Sequence, residues 1–236
     1  MPDEVPALVT LDLWGVAARA VPTAVLHMGL DRRPVRRTPG LRFAKLLGTG
    51  DGRTFTPRDA DVHHWGLLAT WASAADADAF EESAVVRSWQ RRSFERLHVA
   101  MRPLASKGTW AGRRPFGVPV PVRHDGPTAA ITRARLRPRA MTTFWRAVPP
   151  VSERLRHTPG LLMATGIGEA PVGLQGTFSL WDSPASLTDF AHRTPEHQAV
   201  VARTPEVGWY AEELFARLAV VEASGSLGGV SVRVPR

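Results

Sequence analysis

The stretch "HTPGLLMATGIGEA" at residues 157–170 decides the fold once it is set beside "RTPGLRFAKLLGTG" at residues 37–50. Both read Thr-Pro-Gly-Leu, then an apolar run, then closely spaced glycines. Outward from this pair the same order recurs. "RAVP" stands at Arg19–Pro22 and again at Arg146–Pro149, and a strand-like run ends in Trp71 in one copy and Trp181 in the other. Phe80 and Phe190 follow each tryptophan at the same interval, and "AVV" recurs at Ala84–Val86 and Ala199–Val201. "FERL" from Phe94 answers "FARL" from Phe215, and "ASKGTWAG" (105–112) answers "EASGSLGG" (222–229). Matches in one order mark a duplicated unit.

Within a copy the pattern reads strand, helix, strand, strand, helices, strand. "TAAITRARL" alternates and is rich in β-branched residues, as a strand does. "RPRAMTTFWRAVPPVSERLRH" has helical spacing, with Pro149 and Pro150 expected to end or kink the helix. "GLLMATGIGEAP" and "LQGTFSLW" read as strands joined in a hairpin, and "DSP" after Trp181 supplies a helix cap with proline in the first turn. This is the βαββαβ ferredoxin-like unit. One such sheet carries helices on a single face, so two copies must cover each other's bare face. The expected fold is α+β: two fused ferredoxin-like repeats forming a dimeric α+β barrel with an internal cavity. The boundaries read 1–115 for the first repeat, 116–127 for a Pro/Gly-rich linker, 128–229 for the second repeat and 230–236 for a tail. The ends, before residue 6 and after Gly229, are expected to be disordered.

With 236 residues, 44% of them hydrophobic, the chain can bury a substantial core. Cysteine is absent, which excludes disulfides and thiolate-ligated metal or heme. No signal-like segment or apolar span is present, so a cytoplasmic protein is expected. A formal charge of +8 raises a polyanion as partner. The 28 arginines and 2 lysines are scattered among acids, however, and no basic block is interleaved with aromatics. Nucleic acid is therefore not expected as a partner.

Several motifs fail a chemical test. "GTGDG" at Gly48–Gly52 lacks the Gly-Lys-Ser/Thr of a phosphate loop and reads as a hairpin loop. No Gly-x-Ser-x-Gly elbow exists. Neither His63–His64 nor His192/His197 has a recognised zinc spacing. His197 aligns with Glu82 in the first copy, so it breaks the symmetry, as a group serving one site in a pseudo-symmetric shell would. It reads either as a solvent-facing helix residue or as the imidazole ligand available to heme iron in a chain without thiols. Arg133, Arg135 and Arg137 share one strand face. They are either solvated on an edge strand or matched to anions such as carboxylates. Gln175, Thr177 and Ser179 alternate with Gly176, Phe178 and Leu180, and the polar set is expected to line the barrel interior as an orienting pocket. Trp14, Trp65, Trp145 and Trp209 are expected in the core.

"PGLRFAKLLGTGDGRTFTP", "LLATW", "ASKGTWAGRRPF", "AAITRARLRP", "FWRAVP", "GIGEAP", "QGTFSLW" and "GWYAEELFAR" together resemble the spheroidene monooxygenase family of carotenoid ketolases, from about Leu11 to Gly229. The resemblance implies a heme b-containing, O2-using monooxygenase on the dimeric α+β barrel, fed electrons by a reductase or ferredoxin. It implies His197, in "TPEHQAVV", as iron ligand; combined with the strand alternation, Arg133 and Arg135 are expected to hold the heme propionates and Gln175 and Thr177 to face the distal side. Two departures, His63-His64-Trp65 and Leu227, point to a different substrate, apolar or from specialised metabolism; a third, Val172-Gly173-Leu174-Gln175, lacks the histidine of the family pattern there and bears on which residue ligates heme. A heme barrel with non-oxygenase chemistry, of the aldoxime dehydratase or N–O/N–N kind, and a non-catalytic heme or ligand carrier are the rival readings. Peripheral membrane contact and homo-oligomerisation stay open.

Overall fold

The computed structural model describes residues 4–54, 56–169, 174–195, 198, 202–204 and 207–235. The first repeat comprises β1 (Leu8–Val16), α1 (Val21–Leu30), α2 (Arg32–Arg36), β2 (Leu41–Gly50), β3 (Ala60–Trp71), α3 (Ala74–Glu81), α4 (Ala84–Arg92) and β4 (Ser93–Gly108). The second comprises β5 (Thr128–Leu136), α5 (Met141–Arg156), β6 (Leu161–Gly168), β7 (Leu174–Trp181), α6 (Pro184–Arg193) and β8 (Tyr210–Leu227), followed by β9 (Val230–Val234).

The strands run β4-β1-β3-β2-β6-β7-β5-β8-β9, and β4 also pairs with β8. That pairing closes an eight-stranded barrel, with β2–β6 as the short seam and β4–β8 as the long one. Closure removes the sheet edges that each half would otherwise expose. The two repeats thus form the α+β barrel that the duplicated pattern implies.

The Thr-Pro-Gly-Leu signature has a local cause. Gly40 and Gly160 adopt φ of 71° and 81°, where a side chain is strained. A Cβ would also collide with Asp76 in one copy and Ser186 in the other, both in the first turn of the next helix. The glycine carbonyls accept from the amides of Ala72 and Asp182, tying each turn to the end of the neighbouring strand. Ser73 and Ser183 then cap α3 and α6 through the amides of Asp76 and Ser186.

Three expectations need correction. First, among the described residues the barrel interior is packed with side chains: Leu11, Leu13, Leu97, Val99, Ile131, Phe178, Leu180, Leu214 and Leu218 occupy it, together with Trp110 and Phe116. Eight strands enclose little more than the volume of their own side chains. Phe116, which opens the expected linker, is fully buried in that core. Second, Pro149 and Pro150 do not end α5, which runs through them to Arg156. Its buried face of Phe144, Val148 and Ser152 holds it on the sheet across the two missing amide donors. Third, residues 230–234 are a strand paired with β8, not a loose tail.

The repeats hold each other by matching clasps. Glu95 of β4 accepts from Ser226 Oγ (3.1 Å) and from the Gly228 amide (3.0 Å) at the end of β8. Glu212 of β8 accepts from Thr109 Oγ1 (3.0 Å) and the amides of Ala111 (3.1 Å) and Gly112 (2.7 Å) beyond the end of β4. The quoted "ASKGTWAG" and "EASGSLGG" are these two clasped ends.

Candidate active site

Strand register gives an internal comparison between the copies. Trp14 pairs with Trp65 across β1–β3, and Ala134 pairs with Gln175 across β5–β7 at the corresponding rung. In the first copy the helix-covered face is packed solid there. Trp14 stacks on Trp89 of α4 at 5.3 Å, and both are fully buried. In the second copy Ala134 stands where Trp14 does. A cavity of about 340 Å³ lies there between the sheet and α5. Phe144, Val148, Val151, Leu155 and Tyr210 give it an apolar wall, and Gln175, Thr177, Thr132 and Ser152 add polar groups. This mixture suits a mostly apolar ligand fixed by a few polar contacts.

Gln175 and Thr177 therefore face the helices, and the expectation that they line the barrel interior is corrected: Phe178 and Leu180 take that side. Gln175 is buried, and its Nε2 has no hydrogen-bond partner among the described residues. A buried amide left unpaired costs free energy unless a ligand meets it. Gln175 also borders a second cleft, of about 360 Å³, that runs over the β2–β6 seam. Gly48, Gly50, Gly166 and Gly168 floor this cleft without side chains, and Trp65, Met28 and Val62 form its sides. The two spaces share Gly52, Gly166 and Gln175.

The arginines behave differently from the expectation of a shared anion. Arg133 is 4% exposed. It donates to Glu212 through Nη1 and to Glu169 through Nη2 (2.8 Å), and its guanidinium lies 5.6 Å from the Trp110 ring. Trp110 Nε1 donates to Glu169 at 2.6 Å, and Lys45 pairs with the same carboxylate. Arg133 is thus neutralised by protein carboxylates on the barrel side, and no free anion is needed to keep it buried. Arg135 is exposed. Neither arginine lines the cavity under α5; Arg156, at the end of α5, does. His197, Val172 and Gly173 lie outside the described residues.

The carboxyl of Glu212 sits at about 2, against an ordinary 4.5. Burial is the largest influence and opposes ionisation, yet the Gly112 amide, Arg133, Thr109 and the Ala111 amide together outweigh it. Tyr210, on the cavity wall, is pushed up to about 12, by burial first and then by Glu213, so its phenol stays protonated. On the first repeat, half-buried Glu81, Arg96 and His98 gather around buried Asp12, whose Oδ1 accepts from Arg96 Nε at 2.9 Å and lies 2.8 Å from His98 Nδ1. His64 bridges Asp61 (2.6 Å) and Glu95 (2.8 Å) and has no ring nitrogen left for chemistry. His63 contacts the Val16 carbonyl at 3.1 Å. Of the tryptophans, Trp14 and Trp209 are fully buried, Trp65 lines the seam cleft, and Trp145 Nε1 is buried without a partner among the described residues.

Sequence comparison finds close relatives. The chain is 35% identical to a spheroidene monooxygenase of Rhodobacter capsulatus over 214 residues, covering 89% of this chain and 88% of that protein. It is 37% identical to a spheroidene monooxygenase of Rubrivivax gelatinosus, covering 81% of this chain and 73% of that protein. No family model matches. Among solved structures, an aldoxime dehydratase superposes with a TM-score of 0.59 at 12% identity, over 96% of this chain and 83% of that one. At that identity the likeness concerns the fold.

Proposed function

The chain belongs to the spheroidene monooxygenase family, and on that premise we propose that it is a heme b-dependent, O2-using monooxygenase whose cofactor occupies the cavity beneath α5. The observation that carries this reading is the asymmetry between the repeats. The same shell is filled by Trp14 and Trp89 in one copy and left open beside Ala134 in the other, with a buried, unpaired Gln175 amide at its wall.

The apolar character of the lining suits such a group. The walls are apolar aromatic and aliphatic side chains, which keep water out and lower the local dielectric. Thiolate ligation is excluded, and an imidazole would hold the iron; following the family resemblance, we assign that role to His197. Arg156 at the rim would offer its guanidinium to a carboxylate of the cofactor, the role first read for Arg133 and Arg135. When bound, heme supplies the activation of O2 and the transfer of electrons that no side chain here can perform.

The chain's own residues then bind and orient. Gln175 borders both the cavity and the seam cleft, so its Nε2 donates to a polar atom held where the two spaces meet. Thr177, one rung further along the same face, offers a hydroxyl on the cavity side. Glycines floor the seam cleft, which leaves room for a long apolar substrate or a rigid specialised metabolite to lie flat across it. A separate reductase or ferredoxin supplies electrons.

Hemin titration of the purified protein tests this. Wild type is expected to develop a Soret band at one equivalent, and His197→Ala to lose or shift it while keeping the wild-type circular dichroism. A wild type that takes up no hemin, or a band indifferent to His197, would end the proposal.

A further inference from the structure

The outer face of α1 is anomalous. A surface helix ordinarily turns charged and polar residues to solvent. Over its whole length, "VPTAVLHMGL", α1 has no Asp, Glu, Lys or Arg. Ala24 and the half-buried Val21, His27 and Met28 face the protein, which leaves Val25, Leu26 and Leu30 outward at 53%, 58% and 58% exposed. These positions fall on one side of the helix. The second copy is a control: the outer positions of α5 include Arg146, Glu153 and Arg154, all exposed. The apolar face thus belongs to one repeat only and is not a property of the fold.

Directly after it, α2 reads "RRPVR" and is followed by Arg37. Arg32, Arg33, Arg36 and Arg37 are all exposed, and none pairs with a carboxylate among the described residues; exposed Arg19 stands at the other end of α1. The neighbouring Asp31 does not neutralise them, because it is buried against Trp89 Nε1 (2.9 Å) and His27 (3.1 Å). Exposed apolar side chains flanked by unpaired arginines match the interfacial zone of an anionic bilayer, where the former enter the acyl boundary and the latter meet lipid phosphates. The seam cleft lies beside this surface. Met28 of α1, Arg32 of α2 and Val62 of β3, itself 47% exposed, all line it.

We infer that α1 and α2 form a docking surface for an anionic phospholipid bilayer, set so that an apolar molecule dissolved in the membrane enters the seam cleft between Met28, Arg32 and Val62. The docking stands on the surface alone, whereas the entry route rests on the oxygenase reading above. No helix among the described residues is long and apolar enough to cross a membrane, so contact through these helices would be peripheral.

Co-sedimentation with large unilamellar vesicles tests the docking without reference to heme or turnover. Wild type is expected to partition onto vesicles of phosphatidylcholine with one-quarter phosphatidylglycerol at least tenfold more strongly than onto phosphatidylcholine alone, and to be released by raised salt. Each arginine at such a surface contributes about a fivefold gain. The double reversal Arg36→Glu/Arg37→Glu should therefore cost more than tenfold. Leu26→Asp/Leu30→Asp should cost about tenfold or more by removing the inserted surface. Val120→Glu, at an apolar position 79% exposed in the segment between the repeats, should bind like wild type. Circular dichroism checks that each variant is folded. Equal partition onto both vesicle types, or no partition onto either, would overturn the inference. So would arginine-dependent binding that ignores Leu26 and Leu30, since that describes a plain polyanion contact such as an acidic protein makes. Hemin uptake can succeed or fail independently of all these results.

Discussion

Replacing Glu212 with glutamine keeps the acceptor that holds Thr109 and the Gly112 amide but removes one of the two charges on Arg133. Stripping a partner from a buried ion pair costs about 3–5 kcal/mol. Arg133 retains Glu169, a carboxylate it shares with Lys45, so the lower figure applies, about 3 kcal/mol. At roughly 2–4 °C per kcal/mol for a chain of this size, Tm should fall by about 6–12 °C. Glu95→Gln makes the matched comparison. It sits at the corresponding clasp but holds His64 in place of a buried arginine, so its loss should be near 1 kcal/mol, or about 2–4 °C. Scanning calorimetry at pH 7 reads both. The pH dependence carries a sign. Because folding depresses the Glu212 carboxyl to about 2, its contribution is full above its unfolded value near 4.5 and is lost as pH falls from there toward 2. The gap between wild type and Glu212→Gln should therefore narrow below pH 4.5. If Glu212→Gln loses no more than Glu95→Gln, the buried arginine pair is not what secures that end of the barrel.

Two further outcomes follow from the site. Ala134→Trp restores the residue found at the matching position of the first copy and should fill the cavity under α5, weakening hemin uptake at least tenfold in the same titration while leaving Tm within a few degrees of wild type. The hydrogen bond to Asp61 is the largest influence raising the His64 pKa; burial opposes it, and Glu95 adds to it. That pairing stabilises fully below the unfolded value near 6.5 and fades as pH rises through the raised one. His64→Gln should therefore lower Tm at pH 6 and little at pH 9.

The duplicated pattern was enough to read the barrel, because Thr-Pro-Gly-Leu and the paired tryptophans mark a turn and a packing position that each copy needs for itself. Alternation along "LQGTFSLW" also showed correctly that Gln175, Thr177 and Ser179 share a face. It could not say which face, because in a closed barrel wrapped by helices both sides of a strand are buried and polarity no longer points to water. Phe178 took the interior, and the polar set went under the helices. The counter-charges of Arg133 were hidden for another reason. Glu169 and Glu212 lie 36 and 79 residues away, joined to it only by the strand order. The cavity itself was readable in principle: once the copies are aligned, Ala134 against Trp14 and Gln175 against Trp65 spell out which half has been hollowed.

The long seam that shuts the barrel joins residues 97–108 to residues 214–225. During synthesis, β4 therefore emerges with one border unpartnered and must wait for more than a hundred further residues before its mate exists. Through that interval the nascent first repeat exposes the leucines and valines that will later meet Phe178 and Leu180, a state prone to sticking to its neighbours. Ribosome-bound chains halted before Tyr210 should accordingly recruit chaperones, and chains released after β8 should not.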